Sequence, residues 1–201
     1  MAASAVLGVI AGLVHFSAYA LYLRQVLRRT SRPNTATWTL WTFLAALNAA
    51  SYLAMCRDPA KAATPIAGAL ACAVILTVSV WKGRLTRLAV FDRGILAIGL
   101  SAAAVWWASR SATWANLLLQ GAFVLSNVPT YRGVWRDPAT ERPLPWFGFG
   151  LAYAINIAVV LLRWQNEIAD LAYPVLSLVT DAGVGLVVVL RGRHLSRPAD
   201  A

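Results

Sequence analysis

Residues 173–190 read YPVLSLVTDAGVGLVVVL, an apolar stretch interrupted near its centre by one carboxylic acid, Asp181. At ~1.5 Å per residue a helix of that length crosses most of a ~30 Å hydrocarbon core and leaves Asp181 close to the bilayer midplane. An ionisable group at that depth costs at least ~2.5 kcal/mol on insertion scales, so it faces a cavity or a partner and marks a functional candidate. Every other Asp or Glu can be assigned to a loop or tail. The remaining helices are therefore expected to enclose a cavity around Asp181.

The whole chain suits that expectation. Its 201 residues are 59% apolar, with a mean hydropathy of +0.62 and only 13% charged residues, which excludes an ordinary soluble domain. Apolar runs follow one another too closely for a second domain, so residues 1–201 form one membrane domain. Cys72 falls mid-span and Cys56 at a span's end, which sets no disulfide framework. The net charge of +10 would suggest nucleic acid in a soluble protein; here it orients the spans, and no nucleic-acid partner is expected.

The pattern predicts an all-α integral membrane protein with seven transmembrane helices, over 5–23, 37–55, 64–81, 94–109, 113–131, 145–162 and 171–190. Pro33, Pro143 and Pro145 are expected in first turns, and Trp106 and Trp107 suit an interface. The loops after the first, third and fifth spans, with the tail, hold fourteen of the eighteen Lys and Arg; Arg57, Lys61, Arg110 and Arg163 are the other four. The positive-inside bias places the N-terminus outside and the C-terminus in the cytoplasm, in the cell membrane, and the Ala- and Arg-rich composition suggests a bacterial inner membrane. The first span has no positive leader, so a cleaved signal peptide is not expected.

An internal repeat refines the picture. A shift of 108 lays Trp38 on Trp146, Trp41 on Phe149 and Asn48 on Asn156; a shift of 109 lays Pro65 on Pro174 and Lys82-Gly83-Arg84 on Arg191-Gly192-Arg193. Repeat one covers 5–84, a linker helix 92–110 and repeat two 113–194. The odd helix between the units makes the repeats parallel, and repeat transporters place substrate near the midplane between such units. This 3+1+3 layout, together with Ser126-Asn127-Val128-Pro129-Thr130 near the end of span five, resembles the SWEET and PQ-loop superfamily of small-solute transporters. Thr130 stands where that family has glutamine, and the first repeat has Ala20-Leu21 at the matching positions. The resemblance implies a hinge at Pro129 and a proton-coupling role for the last-helix Asp181.

Trp38, Trp41, Asn48 and Tyr52 share one face of span two, and Trp146, Phe149, Tyr153 and Asn156 the same face of span six. Asn48 and Asn156 either line a central site as a pair or join neighbouring helices. Trp38 and Trp146 read as interfacial belt residues. Gln120, Asn127 and Tyr131 share a face of span five and, with Tyr153 and Ser177, are further substrate-binding candidates. Pro65, Gly68 and Cys72 match Pro174, Ser177 and Asp181, so Asp181 has no carboxylate twin. His15, on a stripe with Gly8 and Gly12, is a proton-relay partner for Asp181 or a histidine bonded between helices. No metal-ligand set or cofactor motif is visible, and no lysine lies within span seven to form a Schiff base.

The reading these residues favour is a transporter of a small-molecule substrate, a sugar, amino acid or similar solute, working by alternating access with proton coupling through Asp181. A homo-oligomer in the bilayer is compatible with it. The competing readings are a membrane-embedded enzyme, such as an acid-catalysed isoprenoid cyclase with Asp181 as proton donor, and a receptor or assembly subunit without turnover.

Overall fold

A computed structural model describes residues 2–28, 35–81 and 87–195. Among them are eight α-helices and one short 3-10 turn, Pro138–Thr140, and no strand. The helices are α1 (Ala2–Leu27), α2 (Thr35–Cys56), α3 (Pro59–Trp81), α4 (Val90–Ser109), α5 (Ala112–Ser126), α6 (Val128–Arg136), α7 (Pro143–Leu162) and α8 (Ala169–Leu195). Six of them, all but α5 and α6, are long and apolar enough to cross a membrane.

The fifth predicted span is broken. α5 stops at Ser126, and after Asn127 the chain resumes as the amphipathic α6, with Pro129 in its first turn. Proline offers no N–H to the preceding turn, so the helix resets there. α3 and α4 begin earlier than expected. Pro59 opens α3, where the Asp58 carboxylate accepts from the Ala60 amide at 2.9 Å, and Asp92 caps α4 by accepting from the Ala89 amide at 2.9 Å. Pro143 and Pro145 lie in the first turn of α7, whereas Pro33 lies outside the described residues.

Arg57 and Arg110 take left-handed backbone angles (φ 50° and 56°) at the ends of α2 and α4, turning the chain into α3 and α5 within a few residues. Such short connections make these pairs antiparallel neighbours. α3 packs against both α1 and α2; α8 packs against α7 on one side and α5–α6 on the other. α1 lies against α7, α2 against α5, and α4 covers α2 and α5. The α1–α3 crossing is close because of Gly8: a Cβ there would sit 2.5 Å from the Ala60 carbonyl oxygen.

Pro65 and Pro174 lie inside α3 and α8. Each deprives the carbonyl four residues earlier, on Lys61 and Asp170, of its helical donor. The Tyr52 hydroxyl supplies a replacement to the Asp170 carbonyl at 2.7 Å.

Candidate functional site

α3 and α8 each turn a stripe of small or polar residues towards the middle of the bundle, and the space between them is a cavity of about 50 Å³. One water needs ~10–15 Å³ by this kind of measure, so the cavity admits a few small atoms. Pro65, Gly68 and Cys72 line it from α3, and Ser177, Thr180 and Asp181 from α8. Asp181 keeps part of its surface accessible. The Thr180 hydroxyl approaches its carboxylate at a long 3.5 Å, and Tyr153 lines the same cavity.

Aromatic rings form most of the remaining wall. Tyr19 stacks on Phe149 with centroids 4.6 Å apart, and Trp38 meets Trp41 edge to face at 5.1 Å. Trp38 and Trp146 are each 2% exposed and line the cavity, so neither belongs to an interfacial belt. Their helices turn these rings inward to meet Tyr22 at centroid distances of 5.2 and 6.2 Å.

His15 lies in this wall, 4.9 Å from Tyr153 between ring centroids. Its Nδ1 is 2.9 Å from the Thr64 carbonyl oxygen. A carbonyl only accepts, so Nδ1 carries the proton and the neutral ring leaves Nε2 as an acceptor. Nε2 is buried without a hydrogen-bond partner. The structure thus brings His15 and Asp181 to one cavity, from α1 and α8.

The asparagines part company. Asn48 lines the cavity, but its Oδ1 accepts from Asn116 at 2.9 Å and from Gln120 at 3.0 Å. Asn116 also donates to Ser51 at 3.0 Å. This cluster joins α2 to α5. Asn156 is fully buried with neither side-chain polar atom hydrogen-bonded, and it does not line the cavity, so the two asparagines are not a matched lining pair. Asn48 meets Asn116 and Gln120 of α5, whereas Asn156 meets no hydrogen-bonding group among the described residues. Gln120 serves the α2–α5 contact and is likewise absent from the cavity wall. Asn127 does line the cavity; its Nδ2 donates to the Phe123 carbonyl at 3.2 Å and its buried Oδ1 has no partner. Tyr131 donates to the Thr180 carbonyl at 2.7 Å, bracing α6 against α8.

The end of the bundle that carries the four minority cations holds polar contacts the sequence reading missed. Lys61 and Asp170 form a 2.6 Å ion pair with side chains 0% and 2% exposed, and Lys61 also donates to Gln165 at 3.2 Å. Asp170 is therefore not a loop residue but a buried member of the first turn of α8. The available signal was an offset in the sequence: Lys61 falls on Asp170 at the shift of 109. Beside this pair Arg163 donates to Asp58 at 2.5 Å and to Ser4 at 3.0 Å. Burial pushes the Asp58 carboxyl up, but hydrogen bonds from Arg163 and the Ala60 amide outweigh it and hold the group below its ordinary pKa. At the opposite end the buried Glu141 accepts from Tyr22 at 3.1 Å and from Trp146 at 3.4 Å.

Among the described residues no group of three metal-ligating side chains converges. No family model matches the chain, and no curated protein or solved structure matches it.

Proposed function

We propose that the protein is a small-solute carrier of the cell membrane, built as two parallel three-helix repeats around a linker helix and working by alternating access, with Asp181 taking and releasing the coupling proton. The observation that carries this reading is the cavity lined by His15 and Asp181 between polar contacts at both ends of the bundle. The helix packing supports the repeat. If α1, α2 and α3 are exchanged with α5–α6, α7 and α8, the contacts α1–α7 and α2–α5 trade places, as do α1–α3 and α5–α8, and α2–α3 and α7–α8. α4 is then the linker, and the proline-hinge candidate Pro129 sits where α5 gives way to α6. Such a unit can rock about a central site, opening one end as the other closes. The charge bias puts the ion-paired end outside and the Glu141 end in the cytoplasm.

The test is uptake into proteoliposomes under an imposed pH gradient, screened over sugars, amines and amino acids. Saturable, gradient-driven uptake that Asp181→Asn abolishes is the expected result. Gradient-driven uptake unchanged in Asp181→Asn removes the coupling role. Absence of uptake, with turnover of a prenylated substrate by detergent-solubilised protein, moves the protein to the enzyme class.

A further inference from the structure

We infer that the solute carried is a small primary amine, bound as its ammonium ion by Asp181, His15 and Asn127 within an aromatic enclosure. This identification of the solute rests on the carrier reading above. Three polar groups of the cavity wall offer acceptors. Asp181 contributes a carboxylate that the Thr180 hydroxyl approaches only at long range. His15 contributes Nε2, because Nδ1–H is committed to Thr64, and Asn127 contributes Oδ1, because its amide nitrogen is committed to Phe123. The last two atoms are buried without a partner, and a stranded buried acceptor costs ~1–3 kcal/mol until a donor reaches it. A primary ammonium carries three N–H donors and no acceptor. It matches these groups in number and in sign.

The surrounding rings add to the selection. Tyr19, Trp38, Trp41 and Phe149 border the same cavity, and aromatic rings attract a desolvated cation. No Lys or Arg among the described residues lines it. Lys61 and Arg163 are held in ion pairs at the end of the bundle. A carboxylate or phosphate on the ligand would therefore meet Asp181 with nothing to neutralise it, which disfavours organic anions and zwitterionic amino acids. A sugar offers no cation to Asp181 and leaves its neutralisation to a proton. The cavity volume of about 50 Å³ suits an ammonium head with a few carbons.

The experiment is ligand binding to the full chain in phosphatidylcholine nanodiscs at pH 7, read by intrinsic tryptophan fluorescence, with n-butylamine as probe and tetramethylammonium, alanine and glucose as comparators. Saturable butylamine binding is expected, at least tenfold tighter than any comparator. Asn127→Ala should weaken it several-fold and Asp181→Asn at least tenfold, with Asp181→Glu recovering part of the loss. Tetramethylammonium binding as tightly as butylamine would overturn the three-acceptor reading, and alanine or glucose binding as tightly would overturn the cation reading. Should Asp181→Asn fail to fold, the ligand ranking on the unaltered protein and the Asn127→Ala result decide the matter. Solute counterflow separates the two levels of inference. Counterflow of glucose but not butylamine overturns the amine and keeps the carrier; saturable amine binding without counterflow of any solute keeps the site and overturns the carrier.

Discussion

Exchanging the charges of Lys61 and Asp170 tests the repeat more directly than any sequence comparison. The two residues occupy equivalent positions of the proposed repeats and pair with each other at 2.6 Å, so the pair straddles the proposed two-fold axis. Lys61→Met leaves the Asp170 carboxylate buried, with Oδ1 already unpartnered and Oδ2 losing its only donor. Breaking a buried pair from one side costs ~3–5 kcal/mol. Asp170→Asn should cost less, since Lys61 keeps Gln165 at 3.2 Å and the new amide oxygen still accepts. The double variant Lys61→Asp with Asp170→Lys restores the pair in reverse. On a true two-fold it should return to within ~1–2 kcal/mol of the parent, the remainder reflecting Tyr52 and Gln165, which serve one side only. The assay is equilibrium unfolding by SDS in mixed micelles at pH 7, arranged as a double-mutant cycle. A swap no more stable than Lys61→Met would refute the symmetry, and a loss below ~1 kcal/mol for Lys61→Met would refute the energetic account.

Three further outcomes follow from particular contacts. Gly8→Ala places a Cβ 2.5 Å from the Ala60 carbonyl oxygen, so α1 and α3 must separate; a loss of ~1–3 kcal/mol in the same unfolding assay is expected, against little change for Gly94→Ala, where a Cβ meets open space. Asn48→Ala removes the acceptor shared by Asn116 and Gln120 and should cost ~1–3 kcal/mol, with faster amide exchange at the α2–α5 contact. The depressed pKa of Asp58 makes its ion pair with Arg163 stabilising above the ordinary aspartate range and progressively lost as pH falls through the folded-state value. Melting temperature followed from pH 6 to pH 3 should therefore fall less steeply in Arg163→Gln than in the parent; parallel curves would deny Asp58 that role.

What could be read from the chain followed its strongest physical constraint. Burying Asp181 in an apolar helix is costly enough that its placement beside a cavity was legible from α8 alone, and the shift of 109 located the matching stripe on α3. Local chemistry was harder to place. A tryptophan near a helix end reads the same whether its helix turns it to headgroups or to the interior, and only the packing of α1 and α7 settles that Trp38 and Trp146 point inward. The aligned Asn48 and Asn156 misled because a shared offset in sequence does not fix the neighbour across the interface. Asn116 went unread for the complementary reason: its repeat counterpart lies among the small residues of α1, so self-comparison gives it no weight. The ion pairs were missed because a Lys or Asp near a span boundary is cheap to leave in water, and their burial depends on two distant helix ends meeting.

The proposed two-fold gives the two halves like frameworks and unlike contents, and that difference bears on how a carrier of this kind would work. Cys72 and Asp181 occupy equivalent positions, so the charge of the site belongs to one half alone. With no Lys or Arg among the described residues bordering the cavity, an empty site with ionised Asp181 keeps an uncompensated carboxylate, which disfavours the closed form. A bound ammonium ion or a proton each removes that penalty. Either occupant then permits the closed state that alternating access must pass through, while the bare anion holds the cavity towards water. Exchange of one cation for another follows from a single carboxylate, without a second acid. The consequence is measurable: in proteoliposomes loaded with butylamine, efflux should run against an inward proton flux of equal charge, and in Asp181→Asn, whose neutral site needs no occupant to close, that stoichiometric link should disappear. Amine efflux with no accompanying proton entry in the unaltered protein would refute the exchange and leave Asp181 a binding group only.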